Sequence, residues 1–202
     1  MVGLHIDYFA SLNSPWTHFG AARLEAMAVR HGAGLRIHLV DFAIIFPASG
    51  GVPVARRSPQ RQAYRMQELA RWRDHLGIPL HPRPRPFPAD ERLAAQCVIA
   101  ARDTLGDGPA VALAHRLLRA LWEEERDFGD PATLAALIGD AGLDPIALPA
   151  LGAEPRWAER RVADTEAALA RGVFGAPSYV VGTEVFWGQD RLDFLHRRLA
   201  QG

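Results

Sequence analysis

Ser11-Leu12-Asn13-Ser14-Pro15-Trp16-Thr17 is the stretch whose reading decides the fold. An apolar run, Leu4 to Ala10, precedes it and has the partial alternation of a strand. A run from Trp16 to His31 follows, with Phe19, Leu24, Met27 and Ala28 at roughly helical spacing, and it stops before Gly32 and Gly34. A serine followed by proline at the first helical position is a helix start. Such a turn directs the Ser14 hydroxyl and the free amides of a helix end at one point. That point carries partial positive charge and suits an anion or a thiolate. Beyond the helix, Leu35 to Val40 alternates cleanly as a second strand, so the first forty residues form a βαβ unit with parallel strands.

Outward from this unit the period changes twice. Asp41 to Ser58, with Pro47, Gly50, Gly51 and Pro53, reads as a loop. Pro59 to Leu76 reads as a helix with Met66, Leu69, Ala70, Trp72 and Leu76 on one side, and Gly77 to Pro88, with five prolines, as an extended connection. From Asp90 onward four or five helices follow, with apolar stripes such as Ala94, Cys97, Val98, Ala101 and Leu105. Near the end, Ser178 to Val181 and Val185 to Trp187 flank Gly182-Thr183 as a hairpin, and Asp190 is expected to cap a final helix carrying Leu192, Leu195 and Leu199. The order βαβ, helices, ββα predicts an α/β fold with a thioredoxin-like core and a large all-helical insertion. The expected division is a discontinuous domain of residues 1–50 and 172–202 and a helical domain of residues 55–170.

Composition excludes several classes of function. The 202 residues carry 23 basic and 23 acidic side chains, interspersed, which speaks against nucleic acid as a partner. All 23 basic residues are arginine, so no Schiff-base lysine exists. The single cysteine, Cys97, excludes an internal disulfide and a Cys-x-x-Cys redox pair, lies on an apolar stripe as a structural thiol, and fits a cytoplasmic setting. No apolar run reaches membrane-spanning length, the amino end shows no export-type segment, and no metal site is expected.

Three stretches resemble the 2-hydroxychromene-2-carboxylate isomerase family, DsbA-like thioredoxin-fold proteins related to kappa-class glutathione transferases. The first is Asn13-Ser14-Pro15-Trp16-Thr17, where related oxidoreductases place a redox cysteine at the position of Ser14. The second is Pro59-Gln60-Arg61-Gln62-Ala63-Tyr64 with Glu68, Leu69 and Arg71, arginine standing in the family's lysine place. The third and most specific runs from Gly172 through Ala176-Pro177 to Val181, continued by Phe186-Trp187-Gly188-Gln189-Asp190-Arg191-Leu192. Three stretches depart from the family pattern: Asp41 to Pro53 contains no asparagine, Asp90 stands where an asparagine follows Phe-Pro-x, and Ala10-Ser11-Leu12-Asn13 replaces the usual acidic-aromatic-apolar approach to Ser14.

The resemblance implies a glutathione-dependent isomerase of aromatic catabolism, acting on a small molecule, with glutathione as cofactor and a homodimer as its assembly. Ser14, otherwise a plain N-cap, would face the glutathione sulfur, where a hydroxyl and a helix end stabilise a thiolate. Pro177 would be cis, exposing the Ala176 backbone to the cysteinyl part of glutathione as an added strand. Gln189, Asp190 and Arg191, otherwise a cap and solvated charges, would hold the γ-glutamyl group. Arg61, otherwise a surface residue, would take the glycyl carboxylate. Read from their position in the first turn after Ser14, Trp16 is either core packing or a wall of an apolar substrate pocket, and His18 either a structural or surface histidine or a general acid-base group in that pocket. Two other readings stay open: a kappa-like transferase that consumes glutathione, and a redox-silent binding protein of the same fold.

Overall fold

A computed structural model describes residues 4–201. The opening strand β1 is His5–Ala10, the helix α1 is Pro15–His31, and the second strand β2 is Gly34–Leu39. Ser14 caps α1 by accepting the Thr17 N–H at 3.2 Å, and Pro15 occupies the first turn, where no amide is needed. Gly32 ends the helix in the left-handed region at φ 61°, its N–H reaching the carbonyls of Ala28 and Val29. β1 and β2 pair in parallel from His5↔Gly34 to Ala10↔Leu39. The hairpin strands β3 (Ser178–Val181) and β4 (Glu184–Trp187) complete a mixed sheet of order β2-β1-β3-β4, with β3 antiparallel to both of its neighbours.

The period-two alternation of β1 divides the core. Ile6, Tyr8 and Ala10 join Phe19 and Leu24 of α1 in the larger core, while Phe9 faces Val40, Ile45, Ala168, Val173 and Val180 in a smaller one. The larger core continues without interruption into α4 (Arg92–Leu105) and α5 (Asp107–Trp122), so helical middle and sheet share apolar packing. Full burial of a side chain such as Phe19 or Leu24 stabilises by about 1.5–3 kcal/mol. The remaining helices are α3 (Pro59–Leu76), α6 (Pro131–Asp140), α7 (Ala147–Gly152), α8 (Pro155–Ala170) and α9 (Leu192–Leu199). Residues 77–88 form no helix or strand, as their prolines predict.

Two expectations are corrected. Asp41 to Ser58 is not all loop: Phe42–Ser49 forms the helix α2, followed by a single 3₁₀ turn at Val54–Arg56. The Asp41 carboxylate accepts the Ala43 N–H at 2.8 Å as an N-cap, Gly50 closes the helix at φ 76°, and Ile45 anchors it in the smaller core. Pro47 lies near its end, where a proline removes one backbone hydrogen bond only. Asp190 is not the cap of the last helix. Gly188, at φ 104°, leads into a 3₁₀ turn at Gln189–Arg191, α9 begins at Leu192 without a side-chain cap, and Asp190 instead accepts from its neighbour Arg191 at 2.9 Å.

A charged seam closes the sheet face opposite α1. His38 on β2 bonds Asp7 on β1 through Nε2 at 2.8 Å and lies against Asp164 on α8 at 3.7 Å, its ring stacked on Phe9. Arg102, fully buried on α4, donates to Asp164 at 2.6 Å and to the Ile37 carbonyl at 3.1 Å, and Arg171 donates to Asp7 at 2.6 Å. Burial works against the His38 imidazolium, but the two carboxylates outweigh it and raise its pKa. Burial also opposes the charged forms of Asp7 and Asp164, and their cationic partners outweigh it and hold both carboxyls low.

Candidate functional site

The Ser14 hydroxyl has two partners. It accepts the Thr17 N–H and donates to the Ala176 carbonyl at 3.3 Å, joining positions 162 residues apart. The Ala176–Pro177 peptide bond is cis, as expected, and a second cis bond lies at Phe87–Pro88. Ser178, fully buried, donates to the Gly175 carbonyl at 2.7 Å, and the Gly188 N–H donates to the Pro177 carbonyl at 2.8 Å. The turn after β4 is therefore tied to the proline segment. It is tied to α1 as well, because Arg23 donates to both the side-chain and backbone carbonyls of Gln189. α1 comes so close here that a Cβ on Gly20 would stand 2.5 Å from the Tyr179 hydroxyl and 3.3 Å from Gln189 Cβ.

The loop that presents Ser14 hangs on one carboxylate. Glu91 Oε2 accepts from the Ser11 hydroxyl at 2.9 Å, the Leu12 N–H at 3.0 Å, the Asn13 N–H at 3.3 Å and the Asn13 side-chain amide at 3.4 Å. Its other oxygen accepts from Arg161 on α8 at 2.6 Å, and Arg161 also reaches the Val40 carbonyl at 3.3 Å. Asn13 exchanges two further hydrogen bonds with the Ala89 backbone, at 2.9 and 3.0 Å. Such paired, multiply bonded charges restrain a loop that has no regular backbone ladder.

The expected site residues fall into three groups. Ser14 meets Ala176, and with it Pro177, at the start of α1, whereas Gln189 lies further along that helix against Gly20, its buried side chain committed to Arg23. Trp16 and Arg61 share an open cavity of about 410 Å³ with Arg57, Gln60, Tyr64, Arg65 and Glu68. Asp190 pairs with Arg191, and Arg191 lines a separate shallow depression with Val185, Phe186, Trp187 and Phe194. His18 does not line the cavity beside Trp16. It is buried, its Nε2–H donates to the Pro79 carbonyl at 3.0 Å, and burial lowers its pKa, so it is a neutral structural histidine at physiological pH.

Electrostatics separate the cavity from the rest of the site. Burial pulls the Arg65 guanidinium down to about 10, with Arg57 adding repulsion, and Arg57 is lowered by burial and by Arg61. Arg57 and Arg65 both remain cations near neutral pH. Burial pushes the Cys97 thiol up to about 12, so it offers no thiolate of its own. Among the described residues no cluster of histidine, cysteine, aspartate and glutamate is arranged to hold a metal ion, and no helix is long and apolar enough to cross a membrane. The chain's resources at this site are thus a hydroxyl at a helix end, a backbone edge at the cis-proline, and an arginine-lined cavity beside an indole. Glu91, Arg161, the Asn13 side chain, Arg57 and Arg65 were not singled out from sequence. Of these, only Arg57 and Arg65 carried a readable signal, a spacing of four residues on either side of Arg61.

Comparison with known proteins agrees with this geometry. The DSBA-like thioredoxin domain family matches residues 5–200. A 2-hydroxychromene-2-carboxylate isomerase from Sphingobium xenophagum is 31% identical over 196 residues, covering 96% of this chain and 97% of that protein. Its namesake from Pseudomonas putida is 29% identical over 198 residues, covering 97% and 94%. Among solved structures, a 2-hydroxychromene-2-carboxylate isomerase superposes with a TM-score of 0.82 at 26% identity, covering 98% of this chain and 95% of that one. With the hydroxyl of α1 set against a cis-proline on a β2-β1-β3-β4 sheet, the chain belongs to the 2-hydroxychromene-2-carboxylate isomerase family of DSBA-like thioredoxin domain enzymes.

Proposed function

We infer that the protein is a glutathione-dependent isomerase acting on 2-hydroxychromene-2-carboxylate or a close aromatic relative. The observation that carries the reading is the contact of Ser14 with Ala176, which sets a hydroxyl and a helix amino end beside a cis-proline backbone in a full-length relative of enzymes with that name. The residues present fit glutathione. Ser14 stands at the amino end of α1 with its hydroxyl against the Ala176 carbonyl, and a hydroxyl at the positive end of a helix suits a sulfur anion. When bound, glutathione supplies the thiol nucleophile of the reaction and is regenerated.

The chain's own residues bind and orient. The Ser14 hydroxyl turns from the Ala176 carbonyl toward the sulfur and holds it as the anion at neutral pH. The released Ala176 backbone then accepts an extended peptide edge. Arg61 neutralises a carboxylate at the cavity mouth, and Asp190 meets an ammonium group. Gln189 acts through its backbone, its side chain being held by Arg23.

Thermal unfolding with glutathione tests the cofactor. At a hundred times its Kd a ligand specific for the native state adds about 2.7 kcal/mol. For a chain of this size that raises Tm by about 5–10 °C. The shift is expected to shrink in Ser14→Ala, and its absence at millimolar glutathione refutes the cofactor assignment. Ultraviolet assay of hydroxychromene carboxylate isomerisation then separates net isomerisation from consumption of glutathione.

A further inference from the structure

The cavity beside Trp16 holds more positive charge than one bound cofactor carboxylate requires. Arg61 and Arg65 lie one turn apart on α3, and Arg57 just precedes that helix. The one acid of the wall, Glu68, is already held by Arg71. The Arg57 side chain makes a single hydrogen bond among the described residues, to the Val52 carbonyl, and neither Arg61 nor Arg65 has a side-chain hydrogen bond or ion pair with any of them.

Arg65 is the informative member. It is 9% exposed and its guanidinium lies over the Phe87 ring at 5.6 Å, yet it lines the cavity without an anionic partner. Holding a guanidinium out of water with no counter-charge is unfavourable, and Arg57 adds repulsion. An incoming carboxylate would relieve both terms, and a planar guanidinium matches it with two parallel hydrogen bonds. Trp16 and Tyr64 supply aromatic faces in the same cavity, whose size suits a one- or two-ring ligand.

We propose that this cavity is the site for an aromatic carboxylate substrate, with Arg65 gripping the carboxylate, Arg57 reinforcing it, and Trp16 and Tyr64 taking the ring. Arg61, at the mouth, is left to the cofactor. The proposal rests on the functional reading above for which reaction the ligand undergoes, but not for its binding. Arg65 selects for negative charge, and a neutral ligand of the same shape would leave it unpaired in the cavity.

Titration calorimetry with chromone-2-carboxylate and its neutral carboxamide tests this on the intact protein, with Arg65→Gln and Arg65→Lys beside the wild type. The wild type is expected to bind the carboxylate at least tenfold more tightly than the carboxamide, with the preference falling as salt is raised. Arg65→Gln should abolish the preference, and Arg65→Lys should keep charge and part of the affinity but lose the bidentate geometry. Glutathione and its glycyl ethyl ester identify the owner of the carboxylate. If Arg65→Gln weakens glutathione but not its ester, and leaves chromone-2-carboxylate unchanged, Arg65 serves the cofactor and the proposal is wrong. Equal binding of the carboxylate and the carboxamide by the wild type overturns it too, without needing any variant to fold. Charge-selective binding without isomerisation would refute the functional reading and leave this site standing; isomerisation with no effect of Arg65→Gln on KM or on chromone-2-carboxylate binding would do the reverse.

Discussion

Glu91→Ala is the sharpest test of how the Ser14 loop is held. The substitution removes the acceptor for four donors of residues 11–13 and strips the counter-charge from Arg161, whose side chain is 9% exposed. Removing one partner of a buried ion pair costs about 3–5 kcal/mol. The Glu91 side chain is 15% exposed, and water can take over some of these bonds, so the lower figure of about 3 kcal/mol applies. For a chain of this size that corresponds to a fall in Tm of roughly 6–12 °C in thermal unfolding. Arg161→Met should cost less, because the carboxylate keeps its bonds to residues 11–13 and faces water in part. Glu91→Ala with Arg161→Met removes both charges together, and its cost should be smaller than the sum of the two single changes, the signature of direct coupling. A fall of less than about 2 °C in Glu91→Ala, or strict additivity in the double variant, refutes the view that this one carboxylate holds the loop.

Three further outcomes are expected. Gly20→Ala drives a methyl into the Tyr179 hydroxyl and Gln189, and should destabilise by about 1–3 kcal/mol as overpacking and weaken glutathione binding, read by urea unfolding and calorimetry. Because the folded pKa of His38 lies above its unfolded value, its ion pairs stabilise fully below about pH 6.5 and are lost as pH rises through the folded pKa; wild-type Tm should therefore decline more steeply above that pH than the Tm of His38→Gln, and parallel curves would count against the seam. Cys97, buried with its pKa pushed up to about 12, should resist a disulfide reagent at pH 8 until denaturant is added, and fast labelling of native protein would contradict the packing.

Local chemistry made much of the fold readable. Ser14-Pro15 and Gly32 bracket α1, the alternation of Leu35 to Leu39 marks β2, and Gly182 marks the closing hairpin, all through contacts within a few residues. α2 was missed because prolines and glycines between Asp41 and Ser58 outweighed a short apolar run whose Asp41 and Gly50 caps were both visible. Asp190 looked like a cap, but the left-handed Gly188 spends the next three residues on a 3₁₀ turn. At the site, Ser14 and Ala176-Pro177 could be paired only through likeness to a family, since their contact spans 162 residues. Glu91 and Arg161 gave no signal at all. Their partners lie 70 to 121 residues away, and nothing in the local spacing of an acid or an arginine specifies a segment that distant.

The contact between Ser14 and Ala176 also has a bearing on synthesis. β1 lies inside the sheet, yet one of its two neighbours, β3, is synthesised only after the whole helical middle. Until then one edge of β1 carries free backbone groups, and the apolar side chains Tyr8 and Phe9 await their partners Tyr179 and Ser178. Closing so long a span is a slow folding event. The nascent chain therefore carries an open strand edge beside the half-built site until β3 is made. Slowing elongation ahead of β3 should lengthen that exposure and increase aggregation, and the corner between Ser14 and Ala176 should form only when β3 arrives.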